Sequence, residues 1–401
     1  TGDVLALAST PEYDPNNSNR PSDSTEYARF KNMDTDKQTE YLSKMWTVDA
    51  VSSIYEPGST FKLITAAAAL ESGTANDNTT YYCNGKIHVG DYDLRCLGYH
   101  GTQTLNEAVG NSCNTAMAEA ALDMGGRTFY NYIDLFGFND KTGTDLPGET
   151  DSIVKDPNGM SPVDLATTGY GQGIAVTPLQ ILCAVNSFGN KGVIMKPKLV
   201  KKIVDADGKI VQEIQDQPIR QVVSESTAEK LCDIMECYVA DASGSGAYVP
   251  GFRVGGKTGT ANIVSGSTYS DATNTSFVAM APMDDPQISI ICIVYKPTKL
   301  QYGNFTAGPI VKEVMEKSLT YLGVERQYSK SEEEKAKKNM VKVPRVTGKD
   351  SLKAISILKS KNLNYTVMPE SKSDKSFVVV DQYPKTGTKV DKGTTIYLYS
   401  E

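Results

Sequence analysis

Apolar and polar positions divide the chain into a long mixed region and a short C-terminal region. A nearly continuous apolar run from Leu63 to Leu70 follows a Pro-Gly turn, and its alanine content predicts a helix that ends near Ser72-Gly73. Helical patterns recur in three later segments, residues 160–190, 226–240 and 308–322. Apolar runs typical of strands occupy residues 276–281 and 288–295, and the turn residues between them predict a hairpin.

Less regular segments lie before and between these elements. Residues 9–45 are rich in polar residues and proline, which predicts a loop with short helices. Residues 81–104 predict a hairpin-like segment with Gly90-Asp91 as its turn. A second helical pattern begins near Thr104, shortly before the polar sequence Asn111-Ser112-Cys113-Asn114.

The pattern changes abruptly near Arg326. Residues 326–341 are highly charged and have no apolar periodicity, so they predict a linker. Residues 342–401 then predict a small separate domain with one helix of about ten residues. Its predicted strands are residues 377–380 and 395–399. The first domain is accordingly predicted to span residues 1–325.

Composition narrows the classes of function. The chain has 401 residues, of which 39% are hydrophobic and 22% charged, as in a globular protein of two or three domains. A net charge of −7 argues against nucleic acid as a partner. No apolar run approaches the roughly 18 residues that span a bilayer. The first residues predict a turn entering a strand, and we expect the chain to begin inside a larger protein.

Candidate chemistry begins at Ser59 and Lys62. The preceding Pro57-Gly58 turn places Ser59 at a helix N-terminus, where backbone N–H groups favour developing negative charge. Lys62 follows one helical turn later on the same face. A serine needs a base to become a nucleophile, and a partly desolvated lysine can serve.

Two further short elements support a catalytic interpretation of the Ser-x-x-Lys spacing. This spacing alone is weak evidence for catalysis, because Ser356 and Lys359 repeat it within a helical pattern. Enzymes of the Ser-x-x-Lys type also carry a Ser-x-Asn loop and a Lys-Thr-Gly strand. The chain has both in the expected order, as Ser112/Asn114 and as the Lys-Thr-Gly sequence that begins at Lys257. A second Lys-Thr-Gly at 385–387 follows a proline in a predicted turn, without a strand before it.

Each element has a predicted chemical role. Ser112 can pass a proton between Lys62 and the leaving group, and Asn114 can hold a substrate amide and orient Lys62. Lys257 supplies positive charge for a substrate carboxylate, and Thr258 adds a hydroxyl.

The backbone near these residues completes the predicted site. Gly259 leaves the strand edge open for close approach. The simplest oxyanion hole consists of the backbone N–H groups of Ser59 and Thr260.

The chain resembles the transpeptidase domain of class B penicillin-binding proteins. Three stretches carry the resemblance: Tyr55-Glu56-Pro57-Gly58-Ser59-Thr60-Phe61-Lys62, Gly171-Gln172-Gly173-Ile174-Ala175-Val176-Thr177-Pro178-Leu179-Gln180 and Gly256-Lys257-Thr258-Gly259-Thr260-Ala261. Residues 342–401 resemble a single PASTA module through Val343-Pro344, Gln382-Tyr383-Pro384 and the segment Gly387 to Gly393. One such module after the catalytic domain is similar to the arrangement in stage V sporulation transpeptidases.

The resemblance implies the fold. It is the α/β (α+β) fold of penicillin-recognising serine transpeptidases, in which helices flank a central antiparallel sheet and form an all-helical subdomain. A small α+β PASTA module follows.

The resemblance also implies D,D-transpeptidation of peptidoglycan, with Ser59 attacking the penultimate D-Ala of a stem peptide. β-Lactams would acylate the same serine. The expected location is the extracytoplasmic face of a Gram-positive cell membrane, with partners in the elongation, division or sporulation machinery. Two alternatives stay open: a D,D-carboxypeptidase or β-lactamase that uses water as acceptor, and a non-catalytic sensor of muropeptides or β-lactams.

A second candidate site combines Cys83, Cys96 and His100. The hairpin turn at Gly90-Asp91 would bring the two thiols and the imidazole together, an environment that suits a structural zinc ion. Asp93 is the preferred fourth ligand and His88 the alternative. A Cys83–Cys96 disulfide and two free thiols are the competing interpretations.

The other cysteines have a simpler interpretation. The count of seven is odd, and several lie in apolar segments, as expected of small buried hydrophobic residues. Cys113, inside the Ser-x-Asn element, is predicted either to line the cleft or to face away.

Overall fold

The computed structural model describes residues 1–240, 246–266, 268–330, 332–334, 340–369 and 376–400. Contacts within the chain divide it into two compact units. The first comprises Thr1–Tyr248 and Arg253–Met315, and the second Val249–Phe252 and Glu316–Glu401.

The described helices of the first unit are numbered along the chain. They are α1 (Ser24–Lys31), α2 (Thr35–Met45), α3 (Asp49–Ser52), α4 (Lys62–Glu71), α5 (Leu105–Gly110), α6 (Asn114–Met124), α7 (Gly126–Leu135), α8 (Pro162–Gly169), α9 (Pro178–Gly189), α10 (Glu225–Ala240) and α11 (Ala307–Tyr321), of which the last continues into the second unit.

The strands of this unit follow the same convention. They are β1 (Thr80–Cys83), β2 (Lys86–Val89), β3 (Tyr92–Arg95), β4 (Gly101–Thr104), β5 (Val193–Met195), β6 (Lys202–Val204), β7 (Ile210–Glu213), β8 (Pro218–Gln221), β9 (Gly255–Ser265), β10 (Thr268–Ala281) and β11 (Ile288–Tyr295).

The antiparallel sheet β11-β10-β9 forms the centre of the unit. Its pairing confirms the predicted hairpin, although β10 begins at Thr268 rather than Ser276. Helix α10 packs on β9, and α9 packs on β10 and β11. Strand β9 has no partner on its other side among the described strands. The helices that carry the candidate site can therefore approach this unpaired edge of β9.

Helix α4 lies inside the helical part of the unit. Every residue from Lys62 to Ala69 is buried, and α4 contacts α5, α6, α7, α9 and α10. Small alanine side chains let neighbouring helices approach closely, while Phe61 packs against Phe129 and Phe138 with ring centroids 6.4 and 5.2 Å apart. The α4 N-terminus is thus rigidly positioned.

The predicted helix over residues 160–190 is interrupted. Helix α8 ends at Gly169, and α9 begins only at Pro178. Gly171 and Gly173 between them have φ values of +85° and +75°, which right-handed helices do not allow. Thr177 then caps α9 through its hydroxyl, which accepts a hydrogen bond from the Gln180 N–H.

The segment 81–104 contains the predicted hairpin within a larger arrangement. Strands β2 and β3 pair around Gly90-Asp91, with Val89 opposite Tyr92. Strands β1 and β4 pair outside them, with Cys83 opposite Gly101. This double pairing brings both ends of the segment together beside α5 and α6.

The second unit contains six further described elements. They are β12 (Met340–Lys342), α12 (Ser351–Ser360), β13 (Asn364–Met368), β14 (Asp381–Tyr383), β15 (Lys389–Asp391) and β16 (Thr395–Tyr399). Strand β16 pairs in parallel with β13 and antiparallel with β14. A core that includes Val346, Leu358, Ile396 and Leu398 fills the unit.

Two predictions from the sequence concern this unit. The predicted strand 377–380 is wrong, because Val378 forms only an isolated bridge to Asp350 and the regular strand is β14. Of the predicted linker, residues 331 and 335–339 lie outside the described residues. Arg326, at its start, donates to the carbonyl of Pro250 and to Glu316, both at 2.6 Å.

Among the residues that the structure describes, no helix combines the length and hydrophobicity needed to cross a bilayer.

Candidate active site

Ser59 lies in a short 3-10 turn, Gly58–Thr60, directly before α4. The Gly58 N–H donates to the carbonyl of Gly171 at 3.0 Å, and the Thr60 hydroxyl donates to the carbonyl of Pro57 at 2.9 Å. The turn is therefore held by the α8–α9 connection on one side and by its own hydrogen bond on the other. These contacts position Ser59 at the N-terminal end of a buried helix, as predicted.

Lys62 contacts both named residues of the Ser-x-Asn element. Its ammonium Nζ donates to the Ser112 carbonyl, lies 3.2 Å from Ser112 Oγ, and donates to Asn114 Oδ1 at 2.7 Å. Lys62 is fully buried. A buried lysine with these acceptors is held in one orientation.

The Ser-x-Asn loop is itself fixed by backbone geometry. Ser112 has φ +52°, in the left-handed region, and α6 begins at Asn114. The Asn114 amide Nδ2 donates to the Arg95 carbonyl at 3.1 Å, and its backbone N–H donates to Cys96 Sγ at 3.3 Å. The end of β3 and the residue after it therefore support the loop.

Lys257 on β9 approaches Ser112 from the sheet. Its Nζ lies 3.1 Å from Ser112 Oγ, and the side chain is fully buried. Ser112 thus stands between Lys62 and Lys257, which come from different elements and are far apart in sequence.

Strand β9 also lies against the turn that contains Ser59. A Cβ at Gly259 would lie 2.3 Å from Ser276 Oγ and 2.7 Å from the Pro57 carbonyl oxygen. A Cβ at Gly58 would lie 2.8 Å from the Thr260 carbonyl oxygen. Only glycine at these positions allows the strand and the turn to approach so closely. The two predicted oxyanion-hole residues, Ser59 and Thr260, therefore lie on adjacent segments.

The two buried lysines have unusual protonation behaviour. Burial lowers the pKa of Lys62 to about 7, and the neighbouring charge of Lys257 contributes to the same shift. Burial also lowers the pKa of Lys257 to about 7. Desolvation penalises the ammonium form of each, so one of them can be neutral near pH 7.

The structure therefore brings together the predicted residues Lys62, Ser112, Asn114 and Lys257 through direct contacts. Ser59 precedes Lys62 in the adjoining turn, and Thr258, Gly259 and Thr260 follow Lys257 on β9. The second copies of the short motifs, at 356–359 and 385–387, lie in the second unit.

Three of the four predicted metal ligands, Cys83, Cys96 and His100, also converge. Ligand atoms of Cys83, Cys96, His100 and Cys113 all lie within 4.8 Å of one another. Cys96 Sγ is 3.8 Å from both Cys113 Sγ and His100 Nδ1. In a tetrahedron with bonds of about 2.3 Å, ligand atoms are about 3.8 Å apart. Cys83, Cys96 and Cys113 are free thiols in the structure.

Asp93 does not belong to this group, so its prediction as the fourth ligand is corrected. It lies on the exposed β2–β3 hairpin, where its carboxylate accepts from Lys86 at 2.6 Å and contacts His88 at 3.1 Å. The hairpin directs this pair away from the cysteines, which also removes His88 as the alternative. Cys113 occupies the fourth position.

The sequence alone did not predict the position of Cys113 or the contacts of Tyr238. The sequence predicts two orientations for Cys113, and in the structure its Sγ lies 3.8 Å from Cys96 Sγ. Tyr238 lies on α10, with its hydroxyl 2.6 Å from Thr258 Oγ1 and its ring under Lys257. No short motif contains this tyrosine, so only the packing of α10 on β9 could reveal it.

Comparison with known families agrees with the fold. Residues 1–316 match the penicillin-binding protein transpeptidase domain, and residues 341–401 match the PASTA domain. The chain belongs to the family of penicillin-binding protein transpeptidase domains. Its fold is that of the family, with a PASTA domain after it.

Individual relatives are consistent with that assignment. The chain is 36% identical to Stage V sporulation protein D of Bacillus subtilis, over 99% of this chain and 59% of the relative. It is 30% identical to the peptidoglycan D,D-transpeptidase FtsI homolog of Mesostigma viride, over 79% of this chain and 54% of the relative. The chain thus spans little more than half the length of these relatives.

Solved structures of transpeptidase domains and penicillin-binding proteins are also similar to this chain. The D,D-transpeptidase domain of a peptidoglycan glycosyltransferase from Eggerthella lenta has a TM-score of 0.68 at 26% identity, covering 79% of this chain and 75% of that one. Penicillin-binding protein 3 from Mycobacterium tuberculosis, complexed with ampicillin, has a TM-score of 0.67 at 27% identity, covering 74% and 68%.

Proposed function

We propose that this chain is the catalytic part of a peptidoglycan D,D-transpeptidase that works through a serine acyl-enzyme. The observation that supports this most directly is the convergence of Lys62 and Lys257 on Ser112 Oγ, at 3.2 and 3.1 Å, beside the turn that carries Ser59. Burying two lysines around one hydroxyl costs stability, and titratable groups perturbed in this way cluster at functional sites.

In the proposed acylation step, Lys62 in its neutral form takes the proton from Ser59 Oγ. The oxygen attacks the carbonyl carbon of the penultimate D-Ala, and the backbone N–H groups of Ser59 and Thr260 stabilise the resulting oxyanion. The peptide bond then breaks, and the terminal D-Ala leaves after its nitrogen receives a proton through Ser112.

In the second step, an amine of a neighbouring strand attacks the acyl-enzyme. A new amide bond forms and the ester bond to Ser59 Oγ breaks. The amine gives up a proton to Lys62, and Ser59 Oγ receives a proton as it leaves, which completes the cross-link. Lys257 and Thr258 bind the carboxylate of the donor peptide, while Asn114 holds its amide and orients Lys62. A β-lactam, whose carboxylate and strained amide resemble the donor, would acylate Ser59 in the same way.

The biological setting belongs to the same proposal. Similarity to Stage V sporulation protein D supports a role in spore or septal wall synthesis, at the extracytoplasmic face of the membrane. The family resemblance supports an N-terminal membrane anchor and partners in the elongation, division or sporulation machinery.

Labelling with a fluorescent penicillin tests the nucleophile. We expect covalent labelling of the wild-type protein and none of Ser59→Ala. Ser356→Ala is the matched control, because it removes the serine of the second Ser-x-x-Lys sequence on α12, and its labelling should equal that of the wild type. Labelling that survives Ser59→Ala would refute the assignment.

The acceptor is tested separately, with a stem-peptide donor and an amine acceptor. We expect the cross-linked product in addition to free D-Ala. Release of D-Ala without cross-linking would indicate a carboxypeptidase, and acylation by penicillin without any D-Ala release would indicate a sensor.

We also propose a structural zinc ion bound by Cys83, Cys96, His100 and Cys113. Three sulfur atoms and one imidazole nitrogen are the ligand types of structural zinc sites. The proposed ion would join β1, the segment after β3 and the start of α6. Since Cys113 is the middle residue of the Ser-x-Asn element, the ion would brace the loop that holds Ser112 and Asn114.

Metal analysis of the purified protein tests this site. We expect about one zinc per chain, and thiolate-to-cobalt charge-transfer absorption after exchange with cobalt. Cys83→Ser should lose the metal and melt at a lower temperature, whereas Cys292→Ser, which alters a cysteine on β11, should retain it. A metal-free wild-type protein, or a Cys83–Cys96 disulfide found by mass spectrometry, would disprove the proposal.

A further inference from the structure

Tyr238 connects α10 to the part of β9 that faces the proposed substrate. It is buried, with 4% of its surface exposed. Its hydroxyl oxygen lies 2.6 Å from Thr258 Oγ1, and the centre of its ring lies 4.0 Å from Lys257 Nζ. One side chain therefore contacts both residues that are proposed to bind a carboxylate.

The hydroxyl contact determines which proton Thr258 can offer. Both hydroxyls carry a proton, and we assign Tyr238 as the donor and Thr258 Oγ1 as the acceptor because a phenol is a stronger hydrogen-bond donor than an aliphatic alcohol. Burial raises the pKa of Tyr238, which keeps this proton on the phenol. The hydroxyl hydrogen of Thr258 is then free to be donated to a carboxylate at the strand edge.

The ring contact acts on Lys257. The side chain is fully buried, so its ammonium group has lost the water that would stabilise its charge. An aromatic face within about 6 Å attracts a cation, most strongly where both are desolvated. At 4.0 Å, the Tyr238 ring favours the charged form of Lys257 and restrains its Nζ next to Ser112.

We propose that Tyr238 is a positioning residue that prepares Lys257 and Thr258 for the carboxylate of the donor, and thereby favours donors that carry one. This inference rests on the proposed acyl-transfer function. The hydroxyl orients Thr258, and the ring holds Lys257.

The test compares Tyr238→Phe, which keeps the ring, with Tyr238→Leu, which removes both contacts. Second-order rate constants of acylation are measured with a penicillin and with the methyl ester of the same penicillin, whose carboxylate is neutralised. Tyr81→Phe, at another buried tyrosine of the same unit, is the matched control, and melting temperatures are recorded for all variants.

We expect Tyr238→Phe to slow acylation by the carboxylate form about tenfold and Tyr238→Leu to slow it further, as follows from the loss of hydrogen-bond and cation–π contacts. The ester, which reacts slowly with the wild type, should react with each variant at nearly the wild-type rate. The ratio of the two rate constants, carboxylate form over ester, would then decrease from the wild type to Tyr238→Phe and again to Tyr238→Leu.

Equal losses for both compounds would show that Tyr238 only supports the fold and would overturn the inference. Unchanged acylation in Tyr238→Leu would overturn it as well. Tyr238→Phe keeps the ring and so answers the question if Tyr238→Leu fails to fold. If no penicillin acylated the wild-type protein, the proposed acyl-transfer function itself would be wrong. This outcome differs from a failure of the Tyr238 inference, because it is seen without any change at Tyr238.

Discussion

At the scale of single residues, two buried lysines share one hydroxyl. Lys62 and Lys257 both contact Ser112 Oγ, and burial lowers the pKa of each to about 7. The charge of Lys257 lowers the pKa of Lys62 further, whereas Cys96 and Cys113 oppose that shift. The Tyr238 ring stabilises the cation on Lys257 alone. This contact favours the charged form of Lys257, which suits the proposed roles of Lys257 as the cation and of Lys62 as the neutral base.

The lowered pKa of Lys62 predicts how acylation depends on pH. Lys62 has a lowered pKa, so its neutral form grows as pH rises through about 7. The second-order rate constant for a penicillin should therefore increase between about pH 6 and pH 8. Stopped-flow acylation across this range measures the effect.

Lys62→Arg is the informative variant for this prediction. A guanidinium group keeps its proton at every accessible pH, so the variant should be inactive throughout. Lys155→Arg, on the surface, should retain the wild-type profile. A wild-type rate that does not change between about pH 6 and pH 8 would contradict the role of Lys62 as the base.

At the scale of elements, the site depends on how closely β9 approaches the turn before α4. Gly259 permits this approach, because any Cβ there would overlap with Ser276 Oγ and the Pro57 carbonyl. Strand β10 is paired along nearly all of β9 and cannot retreat without breaking the ladder. A side chain at residue 259 must therefore displace the turn, and with it Ser59.

We predict that Gly259→Ala slows acylation by about 100-fold, because small displacements of reacting groups cost roughly this much. The protein should remain folded, as judged by its circular dichroism. Gly126→Ala is the matched control, since a Cβ at Gly126 meets no atom within 4 Å. If Gly259→Ala reacted at the wild-type rate, the close contact of strand and turn would not matter for catalysis.

At the scale of the whole molecule, the residues of the proposed active site all belong to the first unit, and the PASTA match belongs to the second. The second unit has its own core around Leu358 and Ile396. Nothing in the proposed chemistry draws on residues 342–401.

Deleting residues 342–401 should therefore leave the rate constant of penicillin acylation within about twofold of the full chain, a difference of less than 0.5 kcal/mol in the barrier. The same deletion combined with Ser59→Ala provides the baseline for non-specific labelling. A tenfold slower reaction of the truncated protein would show that the PASTA domain contributes to catalysis.

Local patterns in the sequence were sufficient for much of the fold and for the main site. The alanine-rich run after Ser59, the hairpin of β10 and β11, and the order of the three short elements follow from neighbours along the chain. Helix and strand periodicity and turn residues depend on such neighbours. The interruption of the predicted helix at residues 170–177 is the exception, because the positive φ values of Gly171 and Gly173 depend on their tertiary surroundings.

The sequence alone therefore determined which residues could perform acyl transfer, because a turn before a helix and a lysine one turn later are local features. Only the tertiary structure decided what surrounds them. Cys113 rather than Asp93 joins the cysteine cluster, because strand pairing brings β1 to β4 and turns the β2–β3 hairpin outward. Tyr238 lies under Lys257 because α10 packs on β9, and contacts between distant segments leave no local trace in the sequence.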